Sequence, residues 1–147
     1  MCGKILICHI CGSSRFEVYA GDGDEPDLIK LFRPREGVVY EVVSEVETTY
    51  CEYCGSENSD WVFEVDDDVF EEFSKLVERE ENVRDENELR KVYMEKLMVV
   101  LNAIYNRKVR EDPSEIEAFL DSVISQCVYP NVVKFAREVK AKLMLEK

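Results

Sequence analysis

Two stretches decide how this chain folds: Cys8-His9-Ile10-Cys11-Gly12 and Cys51-Glu52-Tyr53-Cys54-Gly55. Each is a Cys-x-x-Cys pair followed by glycine, and we call them knuckle 1 and knuckle 2. Two residues between the cysteines allow a tight turn to present both sulfurs to one ion, and the glycine lets the backbone curl toward them. Four thiolates form a closed tetrahedral set that suits zinc. The sequence therefore predicts one metal site with the ligands Cys8, Cys11, Cys51 and Cys54.

Apolar and polar residues alternate over residues 15–19, 38–50 and 61–65, as in strands with one buried and one wet face. Residues 5–7 enter knuckle 1 and residues 15–19 leave it, whereas residues 38–50 enter knuckle 2 and residues 61–65 leave it. Residues 28–32 are a candidate for a further strand. We therefore expect antiparallel strands on either side of each cysteine pair.

The knuckles and their flanking strands resemble the zinc-ribbon families over residues 4–65. That resemblance implies an antiparallel sheet that holds one structural zinc ion through the four cysteines. The chain departs from the usual spacing because 39 residues (12–50) separate the two cysteine pairs, against roughly 15–20 in common zinc sites. We therefore expect an elaborated insertion between the knuckles. Because ribbons serve many roles, the resemblance does not define a function.

Iron is the alternative to zinc, because rubredoxin-like electron carriers use similar Cys-x-x-Cys-Gly knuckles. Two disulfides or a dithiol redox pair are further readings, but a dithiol enzyme favours one such motif near a βαβ pattern, which this sequence lacks. A closed set of four sulfurs leaves no position for water. The sequence also lacks a nucleophile triad, a phosphate loop and a dinucleotide fingerprint. We therefore expect a protein that is not an enzyme.

The chain changes character near residue 65, since all six glycines precede this point and helical periodicity follows it. The pattern predicts four helices: about 68–80, about 86–109, one that begins at Asp112-Pro113-Ser114-Glu115, and one after residues 129–131. The predicted fold class is therefore α+β, with an antiparallel zinc ribbon at residues 1–65 followed by a four-helix module at residues 66–147.

The net charge is −13, from 32 acidic and 19 basic residues. Such a field repels phosphate backbones and favours a basic partner, most simply a protein. The charge changes sign from one predicted helix to the next, which is typical of neighbours that pair in a bundle. The alternative is a basic strip that binds anions or nucleic acid, and its candidate residues are Arg90, Lys91, Lys96, Arg107, Lys108 and Arg110.

Asp24-Glu25-Pro26 lies in the insertion between the knuckles and resembles the hairpin tip of the transcript-cleavage-factor zinc ribbons. In that family the two acids help RNA polymerase to hold a catalytic magnesium ion, which implies a role for Asp24 and Glu25 in a polymerase accessory factor. This chain departs from the family because residues 27–50 separate the proline from knuckle 2 and because a helical half follows. The alternative reading is a solvated turn.

Several other residues carry smaller expectations. His9 is expected to be an exposed side chain of knuckle 1, Cys127 a buried small apolar residue, and Cys2 a free terminal thiol, with a Cys2–Cys127 disulfide as the alternative. The aromatic residues around knuckle 2 fit core packing or, alternatively, stacking on single-stranded bases; they are Tyr50, Tyr53 and Trp61.

The sequence suggests a cytoplasmic protein, since no apolar run approaches the roughly 20 residues of a membrane span and no signal peptide is recognisable. A single glutamine, Gln126, among abundant Glu, Lys and Val is typical of thermophiles. Together these features predict a zinc-binding interaction or regulatory protein, with a nucleic-acid-binding or transcription-associated ribbon and an iron electron carrier as alternatives.

Overall fold

A computed structural model describes residues 2–14, 16–20, 27–31, 46–57 and 59–145, and the side chains of residues 3–14, 50–57 and 59–145. Within these ranges the fold is α+β, with five strands followed by four helices. The strands are β1 (Cys2–Cys8), β2 (Phe16–Ala20), β3 (Asp27–Leu31), β4 (Val46–Cys51) and β5 (Asp60–Asp66). The helices are α1 (Asp67–Asn82), α2 (Glu86–Tyr105), α3 (Pro113–Gln126) and α4 (Pro130–Leu145).

The strands pair across the two knuckles. β1 enters knuckle 1 and lies antiparallel to β5, which leaves knuckle 2, with Cys8 opposite Asp60. β2 leaves knuckle 1 and lies antiparallel to β4, which enters knuckle 2, with Phe16 opposite Cys51. Each pair of strands therefore ends at a cysteine. The pairing places the two knuckles next to each other although they are far apart in sequence.

The candidate strand near residue 28 is present as β3, which pairs with β2 on the side opposite β4. The long strand expected over residues 38–50 is described only from Val46 onward. Residues 32–45 and residues 21–26, with the candidate acids Asp24 and Glu25, lie outside the described residues.

Four helices confirm the expectation for the second half of the chain, and their first residues fall close to the predicted starts. The N-cap of α2 is Asp85, whose side chain accepts a hydrogen bond of 3.3 Å from the Asn87 amide. Pro113 opens α3, where a missing N–H costs nothing. Among the described helices, none is both long enough and apolar enough to cross a membrane.

The predicted end of the second helix at residue 109 is wrong, because α2 ends at Tyr105. Arg107 has a φ of 60°, in the left-handed region, and the Lys108 amide donates to the Ala103 carbonyl at 2.8 Å. These features form a C-terminal cap that ends α2 and turns the chain. The chain then runs beside β5, where Val109 bridges Val65. The apolar Val109 that extended the helical pattern thus lies outside the helix, in an isolated β-bridge to β5.

One hydrophobic core joins the strands to the helices. From β1 and β5 it takes Ile5, Ile7, Phe63 and Val65, and it continues into all four helices. As predicted, α2 is central, with apolar residues buried on several sides. β5 runs directly into α1 at residue 67. The division at residue 65 stays a prediction, but the described packing is continuous across it.

A buried ion pair links α1 and α2 to the segment after knuckle 1. The Lys96 Nζ lies 3.1 Å from a Glu80 carboxylate oxygen, and both side chains are at most 1% exposed. Lys96 also donates to Ser14 Oγ at 2.5 Å, while the Ser14 amide donates to Glu80 at 3.3 Å. Burial lowers the pKa of Lys96, and the neighbouring Glu80 opposes that shift. Lys96 therefore belongs to the interior and not to an exposed anion-binding strip.

We predict that Lys96→Met lowers the free energy of unfolding by about 3–5 kcal/mol, because it leaves the Glu80 carboxylate buried without its cation. The double variant Lys96→Met/Glu80→Leu should be more stable than Lys96→Met, since no unpaired charge remains. Urea denaturation followed by circular dichroism measures both.

The matched control is Arg79→Met, which breaks an exposed ion pair of 3.3 Å to Glu95 between the same two helices. It should change the free energy of unfolding by at most about 1 kcal/mol. Equal losses in Lys96→Met and Arg79→Met would contradict the importance assigned to the buried pair.

Candidate metal centre

The two knuckles fold as the same turn. In knuckle 1 the Gly12 amide donates to the Cys8 carbonyl at 3.0 Å, and in knuckle 2 the Gly55 amide donates to the Cys51 carbonyl at 2.9 Å. The φ angles are 88° at Gly12 and 74° at Gly55, in the left-handed region that favours glycine. The glycines thus close both turns as their position after Cys-x-x-Cys suggested.

The turns bring all four cysteine sulfurs into one cluster, in which every Sγ lies within 4.8 Å of the others. The Cys11 and Cys51 sulfurs are 3.5 Å apart, and the Cys8 and Cys54 sulfurs are 3.8 Å apart. A tetrahedral zinc site with Zn–S bonds of about 2.3 Å has sulfur–sulfur edges of about 3.8 Å. The separation and the donor chemistry of the cluster therefore fit one divalent ion.

The pKa values of the cluster's thiols are shifted in different directions. The pKa of Cys8 is lowered to about 7, chiefly by its hydrogen bond with Cys11. The pKa of Cys11 is raised, chiefly by its hydrogen bond with Cys51, since a thiol that donates to a neighbour holds its proton. Because a metal ion is bound by thiolates and not by thiols, binding of an ion here would release protons from the cluster.

Two serine hydroxyls support the sulfurs. Ser59 Oγ lies 3.0 Å from the Cys8 sulfur, and Ser56 Oγ lies 3.3 Å from the Cys54 sulfur. Such outer hydrogen bonds orient ligands and reduce the charge that a thiolate carries. Cys8, Cys11 and Cys51 are buried, whereas Cys54 is exposed.

Knuckle 1 is clamped against the helices. The Tyr129 hydroxyl donates to the Cys11 carbonyl at 2.8 Å, and the Val128 amide donates to the Ile10 carbonyl at 3.1 Å. At Gly12, an added Cβ would lie only 2.3 Å from the Tyr93 carbonyl oxygen of α2. This turn therefore packs directly on the backbone of α2 and on the connection between α3 and α4.

The expectation of an exposed His9 is wrong, since this side chain is only 5% exposed. Its Nδ1 accepts a hydrogen bond of 2.9 Å from the Trp61 indole N–H, so its Nε2 carries the proton in the neutral ring and donates to the Gln126 side-chain oxygen. Both ring nitrogens are occupied, which leaves His9 as a bridge from knuckle 1 to β5 and α3 and not as a metal ligand.

Knuckle 2 meets the helices through Tyr53. Its ring packs edge-on against Tyr93, with centroids 4.9 Å apart, and its hydroxyl lies 3.3 Å from Glu86 and 3.4 Å from Arg90. Trp61 packs edge-on against Phe119 at 5.4 Å. These two aromatic side chains therefore serve packing in the described structure.

The six candidate cations do not form one strip. Lys96 is buried, Arg90 lies near Glu86 at the start of α2, and Lys91 is exposed beside it. The other three lie beyond the opposite end of α2: Arg107 in the helix cap, Lys108 paired with Asp68, and Arg110 paired with Asp66 at 3.0 Å. The charge alternation along the chain instead serves pairing between neighbouring elements.

The two cysteines outside the knuckles lie apart. Cys127 is a free thiol at the end of α3, partly buried against the core, and burial raises its pKa. Cys2 pairs through its backbone with Asp66 at the far end of β1 from knuckle 1. The alternative of a Cys2–Cys127 disulfide is therefore wrong.

Three residues that support knuckle 1 were not predicted from the sequence: Ser13, Ser14 and Glu80. A fourth, Lys96, was assigned to an anion-binding strip instead. Ser13 Oγ donates to Glu80 at 3.4 Å, and the pair of Glu80 and Lys96 is described above. Both charged residues lie at apolar-face positions of their helices, next to Val77 and Leu97 in the helical pattern. Charged residues at such positions were the available signal.

Comparisons with protein-family models, with curated proteins and with solved structures return no significant match.

The two knuckle glycines offer a matched pair of variants. Gly55→Ala should lower the free energy of unfolding by about 1–2 kcal/mol, because alanine is strained at positive φ. The added Cβ meets no described atom within 4 Å. Gly12→Ala should lower the free energy of unfolding by about 1–3 kcal/mol more than Gly55→Ala, because its Cβ would overlap the Tyr93 carbonyl. Denaturation of the metal-loaded variants measures the difference. Equal losses would contradict the close packing of knuckle 1 on α2.

Proposed function

We propose that this chain is a zinc protein in which Cys8, Cys11, Cys51 and Cys54 hold one structural Zn²⁺ ion. The observation that carries this proposal is the cluster of four sulfurs, drawn from two turns of the same type and lying within 4.8 Å of one another. Sulfur ligands favour soft or borderline ions, and a closed set of four is typical of structural zinc.

The role of the ion follows from what each knuckle contacts. Knuckle 1 is bound to α2 and to the α3–α4 connection, and knuckle 2 continues into β5 and α1. An ion shared by both knuckles would therefore join the strands to the helical half. Because a small sheet buries little apolar surface, a metal crosslink is a common source of its stability.

A non-enzymatic role fits this site, because sulfur fills each of the four ligand positions and leaves none for substrate or water. The surface suggests recognition of a partner. Residues 66–88 carry eleven acidic and three basic side chains, of which only Glu80 is buried. We propose that the acidic surface of α1 and the start of α2 binds a basic protein.

Iron is the second candidate ion, with electron transfer as its function. The observation that favours it is the exposure of Cys54, which would place a bound metal close to the protein surface, where a redox partner can approach. The four sulfurs also match the ligand set of single-iron electron carriers.

Elemental analysis of purified protein should find one zinc per chain. Removal of zinc with a strong chelator should lower the thermal midpoint and loosen the helical half as well as the strands, because knuckle 1 anchors both. One iron per chain would support the second candidate, and protein that contains no metal, or that keeps its thermal midpoint after chelation, would contradict a structural zinc site.

Neutralising the acidic surface tests the partner proposal. The double variant Glu71→Gln/Glu78→Gln should retain less of a basic protein that the unaltered chain captures from native lysate at low salt. The variant removes two exposed charges of α1. The control, Glu115→Gln/Glu138→Gln, removes two exposed charges from α3 and α4. Quantitative pull-down from native lysate compares them, and equal retention by both variants would contradict the assigned surface.

A further inference from the structure

The metal centre is asymmetric. Knuckle 1 is held on three sides: by Tyr129, by the bridge from His9 to Trp61 and Gln126, and by the contact of Gly12 with α2. These contacts come from β5, α2, α3 and the connection before α4. Its two cysteines, Cys8 and Cys11, are at most 1% exposed. A reagent in solution cannot reach their sulfurs without displacing this packing.

Knuckle 2 presents its second half to solvent. Glu52, Cys54 and Gly55 are exposed, and Cys51 is buried at 2%. The space around Gly55 is open, since a Cβ built there would meet no described atom within 4 Å. Of the four cysteines of the cluster, Cys54 is thus the one that is exposed in the folded chain.

From this geometry we propose that Cys54 is a modification site for small soluble electrophiles of the Michael-acceptor class, and that its modification opens the metal centre. This inference rests on the proposed function, because it concerns the metal-loaded protein. The other three ligands are shielded from the same reagents. The chain would therefore release its metal in response to electrophiles that act at one residue.

The chemistry is a conjugate addition. The Cys54 sulfur forms a bond to the β-carbon of an activated alkene, the alkene electron pair moves toward the carbonyl group, and the α-carbon takes a proton from water. The product is a neutral thioether, a weaker ligand for zinc than the thiolate that it replaces. Three thiolates remain, and the fourth position opens to water and to competing chelators.

The test uses zinc-loaded protein and N-ethylmaleimide below one equivalent. Peptide mapping by mass spectrometry locates the adduct, while a chromogenic chelator follows zinc release. The working protein is Cys2→Ser/Cys127→Ser, which removes the two thiols outside the cluster, with the unaltered chain run in parallel. Cys54 should be labelled at least about tenfold faster than any other ligand, in accordance with its exposure, and zinc release should follow the same time course.

Three results would overturn the proposal: first labelling of Cys8, Cys11 or Cys51; simultaneous labelling of all four ligands in one molecule, which indicates global opening; or zinc release at a rate independent of the reagent concentration. A starting protein without bound metal would instead count against the proposed function. Elemental analysis before the reaction therefore separates the two failures.

Discussion

The structure depends on the close approach of four cysteine sulfurs from two turns that are 39 residues apart. Strand pairing makes this approach possible, because β1 pairs with β5 and β2 pairs with β4, and each ladder ends at a knuckle. If all four sulfurs ionise, they repel one another within 4.8 Å, and a cation among them would remove that repulsion. The fold and the proposed ion binding would therefore depend on the same strand pairing.

The helical half does more than cover the sheet. Gly12 packs against the backbone of α2, and the Tyr129 hydroxyl donates a hydrogen bond to the Cys11 carbonyl. The buried Lys96–Glu80 pair forms hydrogen bonds with Ser14, which follows knuckle 1. Buried ion pairs contribute little net stability but penalise any arrangement that separates them. Through Ser13 and Ser14 the pair connects the segment after knuckle 1 to α1 and α2.

Sequence reasoning succeeded where the signal is local. The knuckle turns depend on residues within five positions of each other, and the helix starts depend on caps and periodicity, so both could be predicted from the residues alone. The end of α2 could not, because Val109 continues the helical pattern while its backbone pairs with β5. His9 likewise carries no local sign of burial, since its partner Gln126 comes from another element. For Lys96 the position on the apolar face of α2 was the only local signal, since its partner Glu80 lies on α1.

X-ray absorption at the zinc edge of the purified protein tests the central claim most directly. The account predicts four sulfur neighbours at about 2.3 Å and no nitrogen neighbour, since both nitrogens of His9 are engaged by Trp61 and Gln126. Fewer than four sulfur neighbours, or a histidine nitrogen in the coordination shell, would contradict it.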